Sequence, residues 1–230
     1  MLSAKRNTAI FFKIILIIGF AYFFWLMLKI TLEYIPFNPE VSFLMIKQTE
    51  VVERPEYLAF FYTHVYTSIF VLLSGFLAIL TKDFGLKNFH RNMGKVYIFL
   101  ILICAAPSGI YMGIFANGGI LSKTSFVILG FLWWFSTFKA YQLARQKRFK
   151  EHKQWMWRSF AFTLSAISLR MWKVIIVYLF HPNPMDVYQM IAWLGWIPNI
   201  LIIEYLITKN IYENCTLHLD FLTDSFSDKL

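Results

Sequence analysis

The stretch HKQWMWRSFAFTLSAISLRMWKVIIVYLFH, residues 152–181, is apolar enough to cross a bilayer, yet it carries Arg170 and Lys173. A cation at that depth costs ~2.5–3.5 kcal/mol on insertion scales, so a span that keeps one must place something opposite it. At 3.6 residues per turn, Ser159, Thr163, Ala166, Arg170, Lys173 and Val177 share one helix face, and His152 and His181 continue the line at its two ends. Small and hydroxylated residues on such a stripe belong against other helices, where backbones approach closely and hydroxyls bond across the interface. An earlier apolar segment has a matching stripe: His64, Thr67 or Ser68, Val71, Ser74 or Gly75, and Ala78. Counted from one membrane side at 1.5 Å per residue, His64 sits ~12 Å deep and Arg170 ~16 Å deep, within one layer. The chemistry expected there is that of an intramembrane polar pocket. Arg170 is the counter-charge to a small anionic or lipid-like ligand, His64 a hydrogen-bond or proton-handling partner, and Lys173 a further cation nearer the surface.

A different chemistry attaches to His90 and His152. FHRNMGK and EHKQWMW each place a histidine and a basic neighbour at the start of an apolar run, a faint echo in which the third and fourth helices repeat the fifth and sixth. Two imidazoles on separate helices at one membrane side suit the axial positions of a b-type haem, with an interior arginine to neutralise a propionate. His64 has no second deep histidine, so an outer haem would need Met112, Met171 or Met190. In a third reading Arg91, Arg158 and Glu204 form a packing and lipid-headgroup layer without chemistry, with Glu204 ion-paired to an arginine on its own side. No GxSxG, HExxH, P-loop or dinucleotide fingerprint occurs, so the sequence assigns no reaction.

These residues need helices that cross a membrane, and the composition supplies them. The chain of 230 residues is 58% hydrophobic and 20% aromatic, and its 15% charged content is far below the ~25% of soluble domains. Apolar runs near 8–34, 57–80, 95–115, 125–143, 157–180 and 187–208 each approach the ~20 residues of a spanning helix. The expected fold is an all-α bundle of about six transmembrane helices. Residues 1–56 form an N-terminal anchor and external connection, 57–208 a five-helix core, and 209–230 an acidic tail. The first run is too long for a signal-peptide core and lacks a small-residue cleavage site, so it reads as an uncleaved anchor. Within the connection at 36–56, prolines flank a short interfacial segment. Asn117-Gly118-Gly119 and HPNPMD, His181 to Asp186, read as tight turns, and Pro198-Asn199 as a kink.

The net charge of +9 is a matter of topology rather than of nucleic-acid binding. Lys82, Lys87, Arg91 and Lys95, and then the run from Lys139 to Arg158, lie on one side. The other side has Lys47, Arg54 and Lys123 among Glu40, Glu50, Glu53 and Glu56. The positive-inside rule therefore puts both termini in the cytoplasm. Cys104 and Cys215 fall on different elements and make neither a disulfide nor a metal site.

Three motifs also carry a family likeness. HRNMGKVY (90–97), HKQWMWRSFAFTLSAISLR (152–170) and AWLGWIPNILIIE (192–204) resemble the bacterial integral membrane proteins catalogued as domain of unknown function 2306. There the patterns read HRxxGxxY, HxxWMxRSxxxTxxAxxLR and WxxWxPNxxxxE. The resemblance runs from about His64 to Glu204. It implies a multi-pass protein of the bacterial cytoplasmic membrane and brings no reaction with it. It marks His90, Arg91, Gly94, Tyr97, His152, Trp155, Met156, Arg158, Arg170, Asn199 and Glu204 as pattern positions, with His64 matching a looser histidine. Trp157 and Lys173 are local variations.

Overall fold

A computed structural model describes residues 2–209, and among them every regular element is helical. A bilayer core imposes this, because a chain there must satisfy its own backbone polar groups. Helix α1 is Leu2–Leu32. A short 3-10 turn, Ser42–Lys47, and α2, Gln48–Glu53, lie in the connection that follows. Next come α3, Pro55–Asp83, and a span made of α4, Lys87–Phe99, a π-helical turn, Leu100–Ala105, and α5, Ala106–Ile114. Helix α6 is Gly119–Arg145. The chain continues through α7, Phe149–Thr163, α8, Ser165–Phe180, α9, Pro184–Leu194, and α10, Ile197–Thr208. Five helices are long and apolar enough to cross a membrane, or six if the bent pair α7–α8 is one span. That agrees with the expected count. The acidic tail expected at 209–230 lies, but for Lys209, outside the described residues.

The irregularities have local causes. Pro107 has no N–H to return to the preceding turn, and the helix widens into the π-turn just before it. The fifth span, expected as one straight helix, bends by 41° at Leu164. There the Asn199 side-chain amide donates to the Ala161 carbonyl at 3.2 Å, the oxygen that would accept from Ser165 in an unbroken helix. At the turn into α6, Gly118 and Gly119 have φ of 82° and 73°, conformations that favour glycine.

Packing arranges the helices in two tiers. Val71, Tyr97, Ile101, Trp133, Phe160 and Trp196 bring α3, α4, α6, α7 and the start of α10 into one core. A Cβ at Gly75 would lie 2.7 Å from the Tyr97 ring, so the absent side chain lets that ring lie against α3. Residues 33–54 fold back over one end as a cap, with Tyr34 and Leu44 buried against Tyr57 and Phe61 of α3. Helix α1 is fastened through Met27 to Ile69 and Leu72 of α3. The opposite end carries the lysine- and arginine-rich turns and is called the basic end below.

Candidate functional site

Beneath the cap the helices enclose a cavity of about 360 Å³, at the small end of the ligand-pocket range. Its wall is largely apolar, from Met27 and Ile30 of α1, Phe61 and Leu72 of α3, and Phe126 and Trp133 of α6. His64 and Arg170 interrupt that wall, from α3 and α8 respectively.

The π-turn positions His64. Its carbonyls are out of helical register, so Ala105 O accepts from His64 Nδ1 at 2.8 Å and Leu102 O accepts from Trp134 Nε1 at 3.2 Å. With Nδ1 protonated, Nε2 keeps its lone pair and the ring is a neutral acceptor. A Cβ at Gly109 would stand 2.8 Å from His64 Cε1, so the glycine makes room for the imidazole. One turn along α3, the Ser68 hydroxyl also belongs to the cavity wall and has no hydrogen-bond partner among the described residues.

Arg170 Nη1 donates to the Ala166 carbonyl, one turn back on α8, at 2.8 Å. Among the described residues no carboxylate pairs with it. Tyr34, reaching in from the cap, does not serve. Burial pushes its phenol above the ordinary value despite the nearby Arg170 charge, so it stays neutral. Lys173, expected beside Arg170, is exposed and does not line the cavity. Three residues on, it has turned ~60° away from Arg170's direction around α8, and that turn takes it out of the pocket.

The cavity floor is a closed ring of hydrogen bonds among buried groups. Trp133 Nε1 donates to Thr163 (3.0 Å), the Tyr97 hydroxyl bonds both Thr163 and Ser159 (2.8 Å each), Ser159 bonds Thr137 (2.7 Å), and the Thr163 hydroxyl also reaches the Ser159 carbonyl (3.2 Å). Thr137 then donates to the backbone carbonyl of Trp133 at 2.8 Å, the residue where the ring began. Each side-chain donor has an acceptor, so the floor is fully satisfied without water.

Beyond this floor lies the basic end. His90 Nδ1 donates to Ala78 O at 2.7 Å and His152 Nδ1 to Ala140 O at 2.8 Å, each reaching 12 residues back across a corner. The two corners share their main features. Gly85 and Lys147 both have positive φ, 71° and 61°. Leu86 N–H bonds Thr81 O as Arg148 N–H bonds Leu143 O, and His90 N–H bonds Leu86 O as His152 N–H bonds Arg148 O. The repeat unit is therefore α3 to α5 set against α6 to α8, so the echo reaches one helix further towards the N-terminus than the two histidine motifs alone imply. Arg158 holds Glu204 through two bonds, 2.5 and 2.8 Å, and lies 4.7 Å over the Trp155 ring, whereas Arg91 is exposed.

The family of predicted membrane proteins DUF2306 matches residues 61–207, well over half of the chain. The chain belongs to that family. No curated protein and no solved structure matches it. In this DUF2306 chain the matched region holds His64, Gly109, Arg170, the floor ring and both corners. Helix α1 and the cap fall before it, so the cavity is composite, with one wall and its lid built from residues outside the match. Sequence reasoning missed Gly109, Tyr34 and Phe162 as parts of this wall. The run Ala105-Ala106-Pro107-Ser108-Gly109, a proline among small residues, is the signal that could have pointed to Gly109.

Proposed function

We propose that this protein binds a small amphipathic acid within the membrane, its head held by Arg170 and by His64, whose Nε2 takes up the acid's proton and then donates to the resulting anion, with the apolar part against the aromatic wall. The observation that carries this reading is Arg170: a half-buried guanidinium in the cavity wall, bonded to a helix carbonyl and lacking a carboxylate partner among the described residues. Its planar fork suits a carboxylate or phosphate. The unpartnered Ser68 hydroxyl offers a further contact. The satisfied floor supports binding over passage, because transit to the basic end would have to open its hydrogen bonds. The positive-inside rule assigns the basic end to the cytoplasm of a bacterial cell. The test is native mass spectrometry of protein released from its own membranes. Wild type should retain one adduct and Arg170→Leu none, and a wild type that carries no adduct and takes up no added fatty acid would overturn the proposal.

One observation favours a second reading at the basic end. The twin bonds occupy Nδ1 of both His90 and His152, so Nε2 is the nitrogen of each ring that would ligate iron. Under that reading the purified protein gives a dithionite-reduced minus oxidised haem spectrum that His90→Ala and His152→Ala each remove. With the histidines as corner fasteners alone there is no spectrum, and each change lowers thermal stability by about 1 kcal/mol.

A further inference from the structure

We infer that the ligand comes from the bilayer itself, sideways through the seam between α1 and α8, and that it is a single-chain lipid acid rather than a soluble anion. This rests on the binding reading above and adds the ligand's class and its path.

The path follows from closing the other directions in turn. Towards the basic end stands the floor ring. Towards the capped end, Tyr34, Leu44, Tyr57 and Phe61 pack into one buried cluster. Lys47, 1% exposed, fastens the lid there, with Nζ bonded to Glu50 at 2.7 Å and to the Phe115 carbonyl at the end of α5. Tyr66 adds a bond from α3 to the Tyr34 carbonyl at 2.8 Å. Between α5 and α6 the backbones are nearly in contact, since a Cβ at Gly113 would meet Phe126 at 3.2 Å and one at Gly130 would meet Ile110 at 2.6 Å.

The remaining side lies between α1 and α8. Helix α1 packs chiefly on α3, and α8 chiefly on α9. Met27, Ile30 and Thr31 line the cavity from α1, and Ser165, Ala166 and Arg170 from α8. Ala166 belongs to this lining and is nonetheless exposed, and the Arg170–Ala166 hydrogen bond is exposed with it. The cation thus stands at a side where the lining reaches the molecular surface, and Ile69 and Leu72 belong to the same lining. A solute arriving there comes from the hydrocarbon phase, and one that also matches a guanidinium has an acidic head on an apolar chain. A single chain suits the size, because a second would not fit beside the first in about 360 Å³.

The test follows label exchange in vesicles by native mass spectrometry, with deuterated palmitate in one arm and a single-chain lysophosphatidate in the other. Wild type should take up one of the two at one per protein, and inorganic phosphate or acetate should not displace it. Ala166→Trp, which fills the seam, should slow uptake and release alike by about tenfold, since an obstructed path changes both rates whereas a damaged pocket speeds release alone. Lys47→Met, which unfastens the lid, should leave both rates as in wild type. Unchanged exchange in Ala166→Trp with faster exchange in Lys47→Met would overturn the lateral path. Displacement by acetate or phosphate would overturn the lipid class. Failure of wild type to take up either lipid would instead sink the binding reading on which this inference rests.

Discussion

Arg170 can be separated from a structural cation by what its loss does to the empty protein. A partnered buried charge leaves its partner stranded when removed, and the fold weakens by several kcal/mol. Among the described residues Arg170 has no carboxylate to strand, only the Ala166 carbonyl, whose helical bond survives. Arg170→Leu should therefore raise the ligand-free protein's stability in detergent by about 1 kcal/mol, or ~2–4 °C in melting temperature, while ligand binding is lost. A drop of similar size would mean that the guanidinium is a structural brace. Gly109→Ala makes the complementary test on His64. The added methyl would stand 2.8 Å from Cε1 and 3.0 Å from Nδ1, so the ring must leave the Ala105 carbonyl. Affinity should fall about tenfold, the loss of one such hydrogen bond, with little change in expression or helicity. His64 and Arg170 could be brought together from the sequence because helical spacing and depth depend on residue number alone. Gly109 could not, because its closeness to His64 depends on the π-turn displacing Ala105, and Lys173 was misassigned because a straight stripe ignores the angular drift along α8.

The spanning elements were legible because apolar length is nearly all a membrane helix needs. Their internal breaks were not. The bend at Leu164 originates in Asn199, 38 residues beyond the Ala161 carbonyl it captures, and no local pattern around Leu164 announces it. The twin corners were half legible: the histidines repeat in the sequence, but the matching turn is glycine in one copy and lysine in the other. That mismatch makes a prediction. Lys147 holds the left-handed conformation, φ 61°, that Gly85 adopts without a side-chain penalty. Lys147→Gly should stabilise the protein by about 1 kcal/mol, read as a rise in melting temperature, whereas Gly85→Lys should destabilise it by a similar amount. Equal and small effects at both would mean that the corners tolerate the conformation for reasons other than backbone strain.

Seen whole, α3 to α5 and α6 to α8 share one corner geometry at the basic end, and α1, the cap, α9 and α10 pack around them. The two units agree at the basic end, where His90 and His152 do the same thing. They differ at the cavity: 62 residues separate Tyr97 from its counterpart Ser159, and the same step takes His64 to Phe126 and Ser108 to Arg170. The proposed binding groups therefore sit where the repeat has diverged. The floor between these two regions has one further consequence, for electrical insulation. Protons hop along hydroxyl chains only when the chain has an open start and an open finish on opposite sides, and this one leaves Trp133 and returns to it. Any water in the cavity would then be a dead end for charge, and the bilayer keeps its voltage and pH difference across the protein. Vesicles containing the protein should hold an imposed pH gradient as long as protein-free vesicles do. Tyr97→Phe removes the central hydroxyl of the ring, leaving Ser159 and Thr163 with spare bonding capacity for water, and should shorten that retention measurably.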